Sequence, residues 1–251
     1  MYLSWVLLSS LSSFWSHIMV RTRSSIVLAV ALGAAVFTRP AAGQASQDKD
    51  KVCSQVQNRT LAVGTWSTYT WTGGSSNGST MRMAVVGKEP QEGTTYYWYE
   101  VSFADPKRPR DKMIMQMLVA GIGVGSVRSI VMKSGDQPAM KMPAQMIQMV
   151  NSSPGMNIAA DLARQCQAME VVGWELVTVP GGEFRALHMR NAASQMVSEV
   201  WLQPDIQFSM VKAVLKDGAV IQLTGQGTDA KSSITETPVA MPGLPGGTPP
   251  N

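Results

Sequence analysis

Histidine and cysteine are scarce in this sequence, with two of each among 251 residues. One histidine, His17, falls in the region read below as a leader, so a triad or metal site would have to be built around His188 alone. That shortage excludes most His-based metal and nucleophilic chemistries, and a lone strand histidine is more often structural than catalytic. Glycine-rich phosphate loops are missing too. AGIGVGS at 120–126 lacks dinucleotide-loop spacing and precedes a strand pattern, not a helix, so it reads as a flexible hairpin loop. There is no long internal repeat. Charge is sparse, at 15% of residues, and the composition is that of a globular chain.

The positive excess sits at the N-terminus. Arg21 and Arg23 precede an uncharged run from Ile26 to Phe37, followed by Ala41, Ala42, Gly43 and Ala45. A positive end, a short apolar stretch and small residues form the three-part pattern of a secretory signal peptide. The run falls short of the roughly 20 apolar residues a spanning helix needs. Residues 1–43 are therefore expected to be a leader cleaved near Gly43 or Ala45, which points to a periplasmic or secreted location. Met1–Ile18 is itself apolar and Ser-rich, so Met19 is a second candidate start, and a membrane hairpin is the rival reading of this segment. Losing Arg21, Arg23 and Arg39 reduces 21 basic residues to 18 against 17 acidic ones. A nearly neutral mature chain lacks the basic field that nucleic-acid binding requires.

In an oxidising compartment, two cysteines are more often a structural bridge than a reactive pair. A Cys53–Cys166 disulfide would staple the mature N-terminal segment to a later helix and close a loop of more than a hundred residues. Residues 44–60 are polar, with a short helix expected around Cys53. From Leu61 the pattern turns to strands. TWSTYTW at 65–71, a turn at GGSSNG, and MRMAVV at 81–86 read as a hairpin. TTYYWYEVSF at 94–103 is the strongest strand signal, and DPKRPRD at 105–111 is expected to break it. KMIMQMLVA at 112–120 and VRSIVMKSG at 127–135 alternate. Pro143–Asn151 and Gly155–Gln167 carry the helical patterns. Strands return from Met169, with a tight turn at Asp217-Gly218. Residues 61–235 are thus expected to form a single β-rich domain. Its class is mainly β (α+β): a curved antiparallel sheet, half-barrel or open barrel, with one or two packed helices. Residues 236–251, rich in Pro and Gly, are expected to be a disordered tail.

Methionine is the anomaly, at 18 residues. Met81 with Met83, Met113 with Met115 and Met117, and Met140 with Met142 recur at period two, which puts each set on one face of its strand. Met146 and Met149 add a helical pair. Flexible, polarizable side chains suit an apolar cavity that adapts to lipids or acyl chains, and equally a filled core. Clustered thioethers also suit Cu(I), although no His or Cys accompanies them. Met113, Met115, Met117, Met140, Met142, Met146 and Met149 are the candidate lining residues. No catalytic residue, metal-ligand set or cofactor is implied. The carboxylates Glu170, Glu175, Glu183 and Glu199 are spread over different strand patterns, and spacing alone does not say which of them converge.

VTVPGGEFRALHMR at 177–190 and EVWLQPDIQFSMVKAVLKDG at 199–218 resemble the late strands of periplasmic lipoprotein-carrier-like (LolA/LolB-like) domains. There a V-W-L-x-P strand leads through a loop to a V-K strand and a D-G turn. The matching positions are Val200, Trp201, Leu202, Pro204, Val211, Lys212, Asp217 and Gly218. The resemblance implies a strongly curved antiparallel half-barrel whose apolar concave face, covered by helices, receives acyl chains. The expected function is non-enzymatic binding of a hydrophobic ligand, a lipid or acyl chain, in the periplasm. The alternatives are a Cu(I)-binding Met-rich protein and a structural envelope protein.

Overall fold

The computed structural model describes residues 42–121, 127–152, 164–191 and 197–241. Residues 1–41 of the leader expected over 1–43, loop residues 122–126, most of the helix expected over 155–167, and residues 242–251 lie outside the described residues.

Twelve strands form one open, curved sheet that is not closed into a barrel. The strands are β1 (Trp66–Thr72), β2 (Thr80–Gln91), β3 (Thr94–Asp105), β4 (Arg108–Val119), β5 (Ser129–Ser134), β6 (Met140–Lys141), β7 (Glu170–Val179), β8 (Gly182–Arg190), β9 (Val197–Leu202), β10 (Met210–Leu215), β11 (Val220–Gly227) and β12 (Val239–Ala240). Their order is β12-β6-β5-β4-β3-β2-β1-β11-β10-β9-β8-β7. All neighbours are antiparallel except β12 beside β6. Most steps join consecutive strands by short turns. The exceptions are β12 beside β6 and β1 against β11, the latter joining an N-terminal half-sheet to a C-terminal one.

Turn chemistry fixes these joins. Glu92 and Gly93 both have positive φ, 49° and 76°, between β2 and β3, as a tight hairpin with matched twist requires. At the Asp217-Gly218 turn the Asp217 carboxylate accepts a hydrogen bond from the Ala219 amide at 3.0 Å. The break expected over 105–111 shrinks to a turn at Asp105, whose carboxylate accepts from the Lys107 amide at 2.9 Å and from the Arg108 guanidinium at 3.1 Å. Arg108 through Asp111 then belong to β4. Pro109 is accommodated because the β3–β4 ladder is irregular there, passing from Phe103↔Met113 to Asp105↔Arg108.

Directly paired residues of neighbouring strands project to the same side of the sheet. One side is covered by helices. Helix α1 (Ala42–Gln57) is longer than the short helix expected around Cys53 and buries Val52, Cys53 and Val56. They pack in a core with Tyr69, Val177, Leu187, Met189, Val200, Val211, Ala213, Ile221 and Leu223. The Cys53–Cys166 disulfide ties α1 to the helical residues 164–168. Helix α2 (Ala144–Ser152) buries Ile147 and packs Val150 against a second core of Leu61, Val85, Met117, Val119 and Ile130. Its end is clasped by the Asn151 side chain, which accepts from the Val127 amide and donates to the Val127 carbonyl, both at 2.9 Å.

The other side is crossed by residues 228–241, and here the structure corrects the expectation of a disordered tail beginning at 236. Trp66 donates its indole N–H to Asp229 at 2.7 Å, and the Ala230 amide donates to the Gly64 carbonyl at 2.7 Å. A Cβ at Gly64 would lie 2.3 Å from the Thr228 carbonyl oxygen, so only glycine admits the strap at that point. Ile234 is buried with Ile114, Val131 and Ala139. Glu236 pairs with Lys133, and Val239–Ala240 adds β12 to β6. Pro238 limits regular pairing in this stretch but does not prevent an extended chain from docking through one apolar anchor and side-chain hydrogen bonds.

Candidate functional site

The helix-covered side of β1–β6 carries the methionines in rows. Met83 on β2 opposes Val101, Val101 opposes Met115, Met115 opposes Met132, and Met132 opposes Met140. One step along the strands, Tyr69, Met81, Phe103, Met113 and Ser134 form a second row. On the other flank Val85, Tyr99, Met117 and Ile130 form a third. Alternation along each strand puts its methionines on one side, and the antiparallel register brings those sides together.

The candidate residues are placed unevenly. Met117 is buried in the second core, with Met115 and Met142 packed against it. Met140 is half-buried opposite Met132. Met113 is 38% exposed and Met149 55% exposed. Met149 is turned outward because α2 uses Ile147 and Val150 for its buried stripe, and Met146 is half-buried on the same helix. Met81, Met83 and Met132 and the aromatic residues Trp71, Tyr99 and Phe103 lie on the same side of the sheet, and sequence reasoning did not include them among the candidate lining residues. Phe208, from the loop between β9 and β10, packs on Tyr99 with ring centroids 5.8 Å apart. Burial raises the Tyr69 and Tyr99 hydroxyls above the ordinary phenol range, so both add polarity without charge.

Among the described residues, cover over this face is incomplete. A groove of about 590 Å³ is lined by Trp71, Phe103 and Met113 and edged by Ser79, Asp105 and Arg108. It opens to solvent at the end of the rows. Its size lies within the range of small-molecule sites, and Ser75, Ser76, Thr80, Asp111 and Ser134 add further polar groups to its lining.

His188 belongs to the opposite side, on β8, and does not act alone. Its Nδ1 lies 2.9 Å from Glu175 Oε1 and its Nε2 2.9 Å from Glu199 Oε2. Its ring stacks on Trp201 at 4.1 Å, and the Lys212 ammonium caps the far side of the array at 4.5 Å from the Trp201 ring. Trp201 donates its indole N–H to Glu175 Oε2 at 2.9 Å, and Arg190 reaches Glu199 at 3.4 Å. Spacing could not reveal this convergence, because Glu175, His188 and Glu199 sit on three different strands that the register aligns. The two carboxylates bracket the imidazole, which makes the cluster a tie across three strands. The hydrogen bond from Trp201, and then that with His188, hold the Glu175 carboxyl below its ordinary value of 4.5 despite opposing desolvation. Unfolded chains therefore bind more protons in that window, and stability is lost as pH falls from about 4.5 through the depressed value. Trp201→Phe is expected to flatten this acid limb, as read from urea midpoints between about pH 3 and pH 7. An unchanged slope would contradict the assignment.

Among the described residues no group of three or more His, Cys, Asp and Glu side chains could hold a metal ion, and no helix is long and apolar enough to cross a membrane.

The fold and these features define a mainly β protein with an open curved sheet, helices on one side and an apolar patch beneath them. No protein-family model matches the chain, and no curated protein matches it in sequence. Among solved structures it is similar to MucB in complex with MucA(peri), at 12% identity and a TM-score of 0.41 over 77% of this chain and 59% of that chain. The Pseudomonas aeruginosa MucA/MucB complex gives 12% identity and a TM-score of 0.42 over 76% of this chain and 59% of that chain. An exported protein with a YmcC-like fold from Bacteroides fragilis gives 12% identity and a TM-score of 0.35 over 66% of this chain and 97% of that one. The chain thus spans about three fifths of the MucB chains it matches.

Proposed function

We propose that this chain is an exported, non-enzymatic binding protein of the bacterial envelope, periplasmic or secreted, that receives an acyl chain or other apolar ligand on the methionine- and aromatic-bearing face of β1–β6. One observation carries the reading. Three register-aligned rows of Met, Tyr and Phe lie on one side of the sheet, and their edge at Phe103 and Met113 opens into the groove beside Trp71. Monomeric proteins leave apolar surface of this kind exposed chiefly where something binds. Each methylene transferred from water contributes about 0.8 kcal/mol. A ten-methylene chain therefore gains roughly 8 kcal/mol, from which association costs of at least about 4 kcal/mol must be subtracted. Flexible thioethers let the lining adapt to chains of differing length. The lipoprotein-carrier-like resemblance of residues 177–218 supports the same ligand class.

Native mass spectrometry of protein purified from the periplasm is expected to show copurifying lipid or fatty acid. Displacement of an environment-sensitive fluorescent fatty acid is expected to weaken at least tenfold in Phe103→Asp, with the urea midpoint recorded as a folding control. A ligand-free spectrum together with no uptake by the wild-type protein would refute the reading.

A further inference from the structure

The middle row has a second chemical property besides being apolar. Met115, Met132 and Met140 stand directly opposite one another on three successive strands, β4, β5 and β6. Met113 and Met117 flank Met115 on β4, and Met142 follows Met140. All three central side chains are half-buried, neither sealed in the core nor fully in water. Of the cationic side chains on these strands, Lys133 and Lys141 pair with Ile114 and Val131 and so project to the opposite side.

We propose that Met115, Met132 and Met140 form a thioether site for a soft monovalent d10 ion, Cu(I). Neighbouring strands are roughly 4.8 Å apart, so Met115 and Met140 straddle Met132 with a separation of about 9.6 Å. Three rotatable bonds per side chain suffice to carry the two outer sulfurs inward over the central one. Thioethers are soft donors that favour Cu(I) over hard or borderline ions. They carry no proton to displace, so affinity is independent of pH, unlike that of a His or Cys site. Incomplete burial gives the ion a way in, and the neutral surroundings impose no like-charge repulsion. Met142, Met113 and Met117 lie near enough to replace a lost ligand partially. The inference uses the sulfur atoms and does not depend on acyl binding, which uses the area of the same face.

The test is Cu(I) competition against a weak chromogenic chelator, with ascorbate as reductant so that the Cys53–Cys166 bridge stays closed. One ion per chain is expected, with affinity changing less than threefold between about pH 5.5 and pH 7.5 and no competition from Zn(II). Met132→Leu is expected to weaken binding at least tenfold, and Met115→Leu with Met132→Leu to abolish it. Met210→Leu on β10 serves as the control that leaves it unchanged. Leucine preserves volume and apolar area, so these variants are expected to retain the fold, with the urea midpoint as the check. As a second measurement, Ag(I) titration of methyl-labelled protein should shift the Met115, Met132 and Met140 methyl resonances. The proposal is overturned if no copper leaves the chelator, if Met132→Leu binds like the wild type, or if the Ag(I) shifts fall on other methionines. Failure of fatty-acid uptake with Cu(I) binding intact would instead remove the acyl reading alone.

Discussion

Replacing Cys53 and Cys166 together by serine is expected to lower the unfolding free energy by about 4 kcal/mol, the order the chain-entropy model gives for so long a loop. The bridge spans 113 positions, so in its absence the unfolded chain regains nearly all the freedom of α1 relative to residues 164–168. The folded side loses little geometry, which is why the effect should appear in stability and not in the fold. Few contacts can substitute for the bridge. Helix α1 buries only Val52, Cys53 and Val56 among its described side chains. Lys49 adds a hydrogen bond to the Gln167 carbonyl at 3.1 Å, and Trp174 donates to Asp48 at 3.0 Å. Both are exposed and worth correspondingly little. Urea unfolding of the oxidised wild type against the double variant measures the difference. A loss under about 1 kcal/mol would show that the bridge constrains the chain far less than the loop length implies. The double variant is the informative one, since a single substitution leaves a thiol free to pair between molecules.

The second large effect is expected at Glu100, a carboxylate only 1% exposed on the strap-covered side of β3. It accepts hydrogen bonds from Gln116 Nε2 at 2.7 Å, from the Ser233 amide at 2.9 Å and from the Ser233 hydroxyl at 2.7 Å. Arg82 stands 3.8 Å away, with its side chain 29% exposed. Gln116 also donates to the Ser232 hydroxyl, which in turn donates to the Ile234 carbonyl, both at 2.7 Å. Glu100→Ala leaves the Gln116 and Ser233 donors without their acceptor, at about 1 to 3 kcal/mol for a buried donor left unpaired. The loss should be local before it is global. Hydrogen exchange is expected to accelerate first at residues 228–241, because Ile234 alone does not anchor them. Glu100→Gln keeps the volume and one acceptor oxygen and should cost clearly less than alanine. Strap amides protected equally in Glu100→Ala and the wild type would disprove the anchoring role.

These two sites were not equally legible. The disulfide could be inferred from residue count and expected compartment, because two cysteines in a chain expected to be exported leave a single intramolecular pairing. Glu100 could not, since it lies in TTYYWYEVSF as an ordinary alternating polar position. Its burial comes from Ser232 and Ser233, more than a hundred positions downstream, and nothing in the local sequence of either segment indicates that they meet. The strand segments themselves followed from local alternation, and the tight turn from Asp217-Gly218, because both are decided by a few neighbouring residues. Helix α1 was underestimated because its composition is polar. Docking through one short apolar stripe and a covalent tie, not intrinsic hydrophobicity, is what orders it.

The amino-acid sequence by itself determined a β-rich chain, the period-two placement of its methionines and the cysteine pair available for a bridge. All three are properties of local spacing or of composition. Only the tertiary structure decided that Met83, Met115, Met132 and Met140 share one row, that Glu175, His188 and Glu199 meet, and that the strap covers Glu100. Each of those depends on register between strands, and a slip of one residue would send every side chain concerned to the opposite side of the sheet.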